Sequence, residues 1–227
     1  MQGVSVIIPT LNEATTISEC LGRLAGQGAD EVIVVDASSP DGTATLAESA
    51  GARVLPSPRG RGIQQNQGAS VASQDIFLFL HADCWLEAGA IESLRRFVER
   101  CPRVPGGCFR MRVEGTDMRF RTIDAAAHLR AGVLGLPYGD QGLFVPRWAF
   151  ERVGGFPEIP LMEDVQISLR LRRFGRLALL PKQIHVSPRR WRQHGIISQS
   201  LRNWALTALA AAGFQPELLA SYYPIVR

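Results

Sequence analysis

Polar side chains able to bind or activate a ligand gather at three points of this chain, each directly behind a short apolar run. Residues 4–9 open onto Thr10, Asn12 and Glu13; residues 31–35 open onto Asp36 and the run 38–42; residues 76–80 open onto His81 and Asp83. Carboxylates accept hydrogen bonds from hydroxyl and N–H groups, hold hard cations and take protons when suitably placed. Farther on, the adjacent acids Glu163 and Asp164 can raise one another's pKa, which suits a general base. Gly139-Asp140-Gln141-Gly142 combines close backbone approach with polar groups. Arg59 and Arg61 in a Gly-rich segment, and His185, Arg189 and Arg190 nearer the end, offer positive charge to an anionic partner.

Such groups need a scaffold that brings them together. The three runs are continuous in Val, Ile, Leu and Phe, as in strands buried on both faces of a parallel sheet. Ligands of open α/β sheets sit at the carboxyl ends of the strands, so one edge would collect all three clusters. Ile17, Leu21 and Leu24 have helical spacing within residues 13–25, and further helices are predicted over 43–50, 63–72 and 89–100. Residues 53–55 read as a short strand and 57–62 as a loop. This βαβα order predicts an α/β fold with a doubly wound, mostly parallel sheet flanked by helices. Composition shifts near residues 102–107, which divides the chain into 1–105 and 106–227. Beyond the shift, strands are expected over 108–113, 143–145 (before the segment 147–153) and 176–180, and helices over 120–133, 163–174 and 196–212. Without a low-complexity linker, the two halves should form a single domain.

Size and composition narrow the classes. A chain of 227 residues, 46% of them hydrophobic, can bury a sizeable core and is not of disordered composition. The net charge is +4, but Lys182 is the one lysine and the arginines are scattered, which fits small anionic molecules better than a nucleic acid duplex. Cys20, Cys84, Cys101 and Cys108 form no C-x-x-C pair, so packed, reduced thiols in a cytoplasmic protein are expected. Residues 4–9 are too short for a signal peptide core, and the weakly polar stretch 204–214 is too short to span a bilayer. That stretch leaves room for peripheral contact with a membrane surface, although a core helix explains it as well.

The strings Ser5-Val6-Ile7-Ile8-Pro9-Thr10-Leu11-Asn12-Glu13, Val34-Val35-Asp36-Ala37-Ser38-Ser39-Pro40-Asp41-Gly42-Thr43, His81-Ala82-Asp83 and Glu163-Asp164 together resemble the family 2 glycosyltransferases of GT-A fold. Their order and spacing extend the resemblance over nearly the whole chain. Gly139-Asp140-Gln141-Gly142 and Arg189-Arg190-Trp191 are similar to the subgroup called rSAM/selenodomain-associated transferase 2.

The resemblance implies a nucleotide-sugar donor, UDP-linked by preference, whose sugar passes with inversion to an acceptor hydroxyl with help from Mn²⁺ or Mg²⁺. In that scheme Pro9, Thr10, Asn12 and Glu13 hold the nucleoside, and Asp36 accepts from the N–H of a uracil base. His81-Ala82-Asp83 stands where the family carries Asp-x-Asp. Asp83 is then the expected metal ligand, with His81 and His185 as further candidates, since Mn²⁺ takes imidazole more readily than Mg²⁺ does. Asp164 serves as base with Glu163 orienting the acceptor, an order that could be reversed. Asp140, Gln141 and Gly142 contact the acceptor, and Arg59, Arg61, Arg189 and Arg190 neutralise the departing diphosphate. Each residue also has a plainer use, in helix capping, turn formation or packing. Two other functions compete: a nucleotidyltransferase, although no G-x-G-x-R string follows the first strand, and a noncatalytic nucleotide-sugar-binding protein, which His81 in place of Asp keeps in view.

Overall fold

The computed structural model describes residues 2–211 together with 214 and 218. Its strands are β1 (Val4–Thr10), β2 (Glu31–Asp36), β3 (Arg53–Pro56), β4 (Ile76–Phe79), β5 (Cys84–Leu86), β6 (Gly107–Val113), β7 (Leu143–Pro146) and β8 (Ala178–Val186). They form one sheet in the order β3-β2-β1-β4-β7-β6-β8-β5. The first four positions are parallel throughout, whereas β7 runs against both β4 and β6, and β5 runs against β8. The helices are α1 (Ile17–Leu24), α2 (Thr43–Ser49), α3 (Arg61–Val71), α4 (Ala90–Arg100), α5 (Arg119–Leu129), α6 (Arg147–Val153), α7 (Glu163–Leu171), α8 (Arg189–His194) and α9 (Ile196–Ala211).

The unbroken apolar runs have a physical reason. Val4, Val6 and Ile8 of β1 join one core layer with α1 and α4, while Ile7 joins the other with α3, α6 and α7. β4 divides likewise, Ile76 and Leu78 going to one side and Phe77 and Phe79 to the other. Each fully buried side chain of this kind contributes roughly 2 kcal/mol from apolar surface removed from water. On the second side Phe79 meets Phe156 edge-on at 4.8 Å and Phe150 at 5.6 Å, which ties α6 to the sheet centre. Gly68 lets α3 lie against β1: a Cβ there would stand 2.5 Å from Ile7 Cγ2.

Several boundaries differ from the sequence expectation. α1 begins at Ile17 because the amides of Thr16 and Ile17 fold back onto the Glu13 carbonyl in a turn. α3 starts at Arg61, so this arginine is the first helical residue and not part of the loop. β8 continues to Val186, well past 180, because its Pro181 falls in a register shift where Phe109 pairs Leu180 but Arg110 pairs Gln183. A bulge tolerates the missing proline N–H. His185 therefore lies within β8, not after it. The strand β5 was not foreseen; three residues carry too little pattern, and only pairing with β8 makes them a strand. α5 ends at Leu129 and passes into a wider turn over Arg130–Leu134.

Candidate active site

The topology gathers the polar clusters at one sheet edge. β1, β2 and β4 end there, and because β7 pairs Leu143 with Phe79 in antiparallel register, the preceding turn Gly139–Gln141 arrives at the same edge. β8 ends beside the Asp83 turn, where the Ser187 amide donates to the Asp83 carbonyl at 3.2 Å.

The β1 and β2 ends are locked to each other. Asp36 is 4% exposed and accepts three hydrogen bonds, from Thr10 Oγ1 at 2.9 Å, Ser39 N at 2.7 Å and Ser39 Oγ at 2.6 Å. An ionised carboxylate has about four lone-pair sites, so one remains for an outside donor. Ser39 Oγ also receives the Asn12 amide at 2.8 Å. Asn12 and Ser38 sit at φ 56° and 57°, the left-handed region that non-glycine residues seldom occupy outside over-determined sites. The backbone of Glu13 donates to Thr43 Oγ1 at 2.9 Å, and Thr43 in turn donates to Asp41 at 2.6 Å. The buried Glu13 carboxylate accepts from Thr16 Oγ1 at 3.0 Å and lies 3.7 Å from Arg189, which thus joins the β1 cluster. Under both turns, the amide of the buried Gln64 donates to the Thr10 and Val35 carbonyls, each at 2.8 Å.

A second cluster forms a small cleft of about 60 Å³ among Arg61, His81, Tyr138, Asp140, Asp164 and Asn203, floored by Gly139 and walled by Leu161 and Met162. Asp164 Oδ2 accepts the Gly139 amide at 2.6 Å, and Oδ1 accepts the Val165 amide at 2.7 Å. A Cβ at residue 139 would stand 2.6 Å from His81 Nε2 and 3.5 Å from Asp164 Oδ2, so glycine lets the backbone run between the imidazole and the carboxylate. Glu163 is not in the lining. It is 3% exposed and bound to Arg61 at 3.1 Å, while Met162 at φ 65° makes the sharp entry into α7. Gly62 allows this approach, since a Cβ there would collide with the Pro157 carbonyl at 2.4 Å.

Asp83 is half-buried on the turn after β4, its Oδ1 3.5 Å from Cys84 Sγ. Burial pushes the nearby Cys20 thiol up to about 12, with Asp83, Glu13 and Glu19 adding negative potential. Gln141 and Gly142 stand behind the cleft. The Gln141 side-chain oxygen accepts from Arg130 at 2.8 Å, and Gly142 at φ 62° packs against Phe109 and Ile184. His185 is held elsewhere, with Nδ1 2.7 Å from Glu114 and its ring stacked on Trp85 at 5.8 Å. Arg59 is exposed in the loop before α3, and Pro9 is buried in β1. The Arg190 side chain lies outside the described residues.

Sequence reasoning missed Tyr138, Asn203 and Gln64. Burial raises the Tyr138 pKa, and its protonated hydroxyl meets Thr207 and donates to the Asn203 carbonyl at 3.2 Å, fastening α9 over the cleft. Tyr138 had one signal, its place beside Gly139; Asn203 had none, because only the tertiary approach of α9 brings it there.

A mostly parallel sheet flanked by helices, with polar turns gathered on its carboxyl edge, defines a ligand-binding α/β protein of GT-A type. The model for Glycosyl transferase family 2 matches residues 5–150, and the chain belongs to that family. The glycosyltransferase AglE of Haloferax volcanii is 35% identical over 102 residues, 38% of this chain and 34% of AglE. The chain spans under half the length of the curated relatives it matches, 42% of the first. Staphylococcus aureus TarS 1-349, solved with UDP-GlcNAc, superposes with a TM-score of 0.62 at 18% identity over 82% of this chain and 58% of that one. The mannosyltransferase PcManGT of Pyrobaculum calidifontis, solved with GDP-Man and Mn²⁺, gives 0.63 at 23% identity over 81% and 56%. Those two likenesses establish the fold.

Proposed function

We propose that this chain transfers a sugar from a nucleoside diphosphate sugar, UDP-linked by preference, to an acceptor hydroxyl with inversion. Residues 1–105 would supply most of the donor site and residues 106–227 most of the acceptor site, with Arg189 reaching across to the donor and His81 to the acceptor. The observation that carries this reading is the contrast between two neighbouring acids. Glu163 is sealed in an ion pair with Arg61, whereas Asp164 turns a carboxylate into the cleft, oriented by two backbone amides. Only the second can meet an acceptor.

In the proposed step Asp164 takes the proton of the acceptor hydroxyl, and that oxygen bonds to the anomeric carbon. The bond from that carbon to the diphosphate oxygen breaks on the opposite face, its electron pair leaving with the nucleoside diphosphate. Thr10, Asn12, Glu13 and Asp36 bind base and ribose, Asp36 through its remaining lone-pair site. Arg189 and Arg59 lie on the donor side, where guanidinium groups stabilise the developing diphosphate charge. Asp140 and His81 line the acceptor side. A single partly exposed carboxylate fits Mn²⁺ or Mg²⁺, which take few protein ligands when phosphates complete the shell. Asp83 would hold such an ion, whose charge offsets that of the leaving diphosphate. Among the described residues no group of three His, Cys, Asp or Glu side chains converges as a metal site, in keeping with a site shared with the donor.

Product analysis with UDP- and GDP-sugars tests the reading. Free nucleoside diphosphate is expected, and Asp164→Asn should lower turnover about 10²–10⁴-fold with donor affinity retained. Release of pyrophosphate, or full turnover in Asp164→Asn, would refute it.

A further inference from the structure

The outward side of α9 is apolar where a surface helix is ordinarily polar. Leu201, Trp204, Ala205, Ala208 and Leu209 recur at spacings of three and four, and all are exposed, Leu201 by 63% and Trp204 by 57%. The inward side is fully engaged. Leu206 and Ala210 pack on α7, and Thr207 meets the Tyr138 hydroxyl. α5 touches α9 on its other flank. An apolar stripe of this extent marks a contact.

Charge identifies the occupant. No aspartate or glutamate occurs between Asp164 and Glu217, a stretch that carries eight arginines and one lysine, more than the whole net charge of +4. Within it α8, rich in arginine, leads directly into α9, which holds Arg202 at the margin of its exposed stripe; Arg192 is exposed. A second copy docked on this stripe would bring these arginines against their own kind. No described helix is long and apolar enough to cross a membrane. Tryptophan on an apolar stripe bordered by arginines suits the headgroup boundary of a bilayer. We infer that α9 docks this protein onto an anionic phospholipid surface, with Leu201 and Trp204 entering the interface and Arg192 and Arg202 meeting the headgroups. The helix would lie on the membrane, its other face roofing the cleft.

Co-sedimentation of the full chain with vesicles tests this without donor or turnover, so it stands or falls apart from the transfer reading. Vesicles of phosphatidylcholine with about one-third phosphatidylglycerol should bind at least tenfold more tightly than phosphatidylcholine alone, and added salt should weaken the binding. The double variant L201Q/W204Q should lose tenfold or more, whereas W148Q, an exposed tryptophan on α6, should bind like the parent. If L201Q/W204Q fails to fold by circular dichroism, R192Q/R202Q supplies the same test through charge. Equal binding to both vesicle types, no binding at all, or unchanged binding of these variants would overturn the inference. So would a dimer in light scattering that L201Q/W204Q dissolves, which would assign the stripe to a second copy.

Discussion

Two carboxylates one residue apart in this chain have opposite fates, and the cause is local. Glu163 reaches back to Arg61 where Gly62 admits the loop at Pro157 so closely, and its carboxylate is buried while Arg61 stays partly exposed at the cleft. Asp164 instead meets the Gly139 amide at the cleft wall. Asp41, on the turn after β2, shows how a carboxylate can serve purely as a brace. Partial desolvation opposes its ionisation, but bonds from the Thr43 hydroxyl and the Ala14 and Thr43 amides outweigh it and hold its pKa below the ordinary value. A depressed folded pKa adds stability above the unfolded value, and that contribution disappears as pH falls through the folded pKa. In an acid titration followed by NMR, the Ala14 and Thr43 amides should therefore shift with a midpoint below about 3.9. A midpoint at or above that value would show that the brace is not formed.

The strand ends depend on one buried amide from α3. Gln64 supplies the only hydrogen bonds drawn from that helix to the Thr10 and Val35 carbonyls among the described residues, and both turns of the donor cluster follow those carbonyls. Gln64→Leu keeps the volume but takes one hydrogen bond from each of two buried carbonyls, leaving Thr10 with the Ala37 amide at 3.0 Å and Val35 with the longer Thr10 hydroxyl contact at 3.5 Å; the loss costs about 2 kcal/mol, or about 5 °C in Tm for a chain of this size. Donor affinity should fall along with stability. A variant with unchanged Tm would mean that water or a rearranged side chain replaces the amide. The same elements show what could be read in advance. β1, β2 and β4 were legible because burial on both faces writes itself as an unbroken apolar run, and the residues after each run do lie at one edge. β5, the extension of β8 and the roofing of the cleft by α9 were not, since pairing and packing distant in sequence create them. Gln64 was invisible for a related reason: a polar residue in a helix reads as solvent-facing until the sheet beneath it is known.

Across the whole molecule, the sheet joins both halves, with β7 of the second half paired directly to β4 of the first. Three thiols are sealed within that body and one is not. Cys20, Cys84 and Cys108 are buried and Cys101 is exposed, and burial pushes Cys108, like Cys20, up to about 12. Iodoacetamide at pH 8 should therefore label Cys101 alone in the native protein and all four cysteines after unfolding. Rapid labelling of a second native thiol would indicate that the core opens near the site. The central claim is that the shared strand edge binds a nucleoside diphosphate. The most direct measurement is a thermal-shift titration with UDP and GDP, each with Mn²⁺, Mg²⁺ or EDTA, on the parent and on Asp83→Ala, because a ligand that binds only the native state raises Tm. A metal-dependent rise, larger for UDP and lost in Asp83→Ala, is the expected result. No rise with either nucleotide under any metal condition would contradict the account.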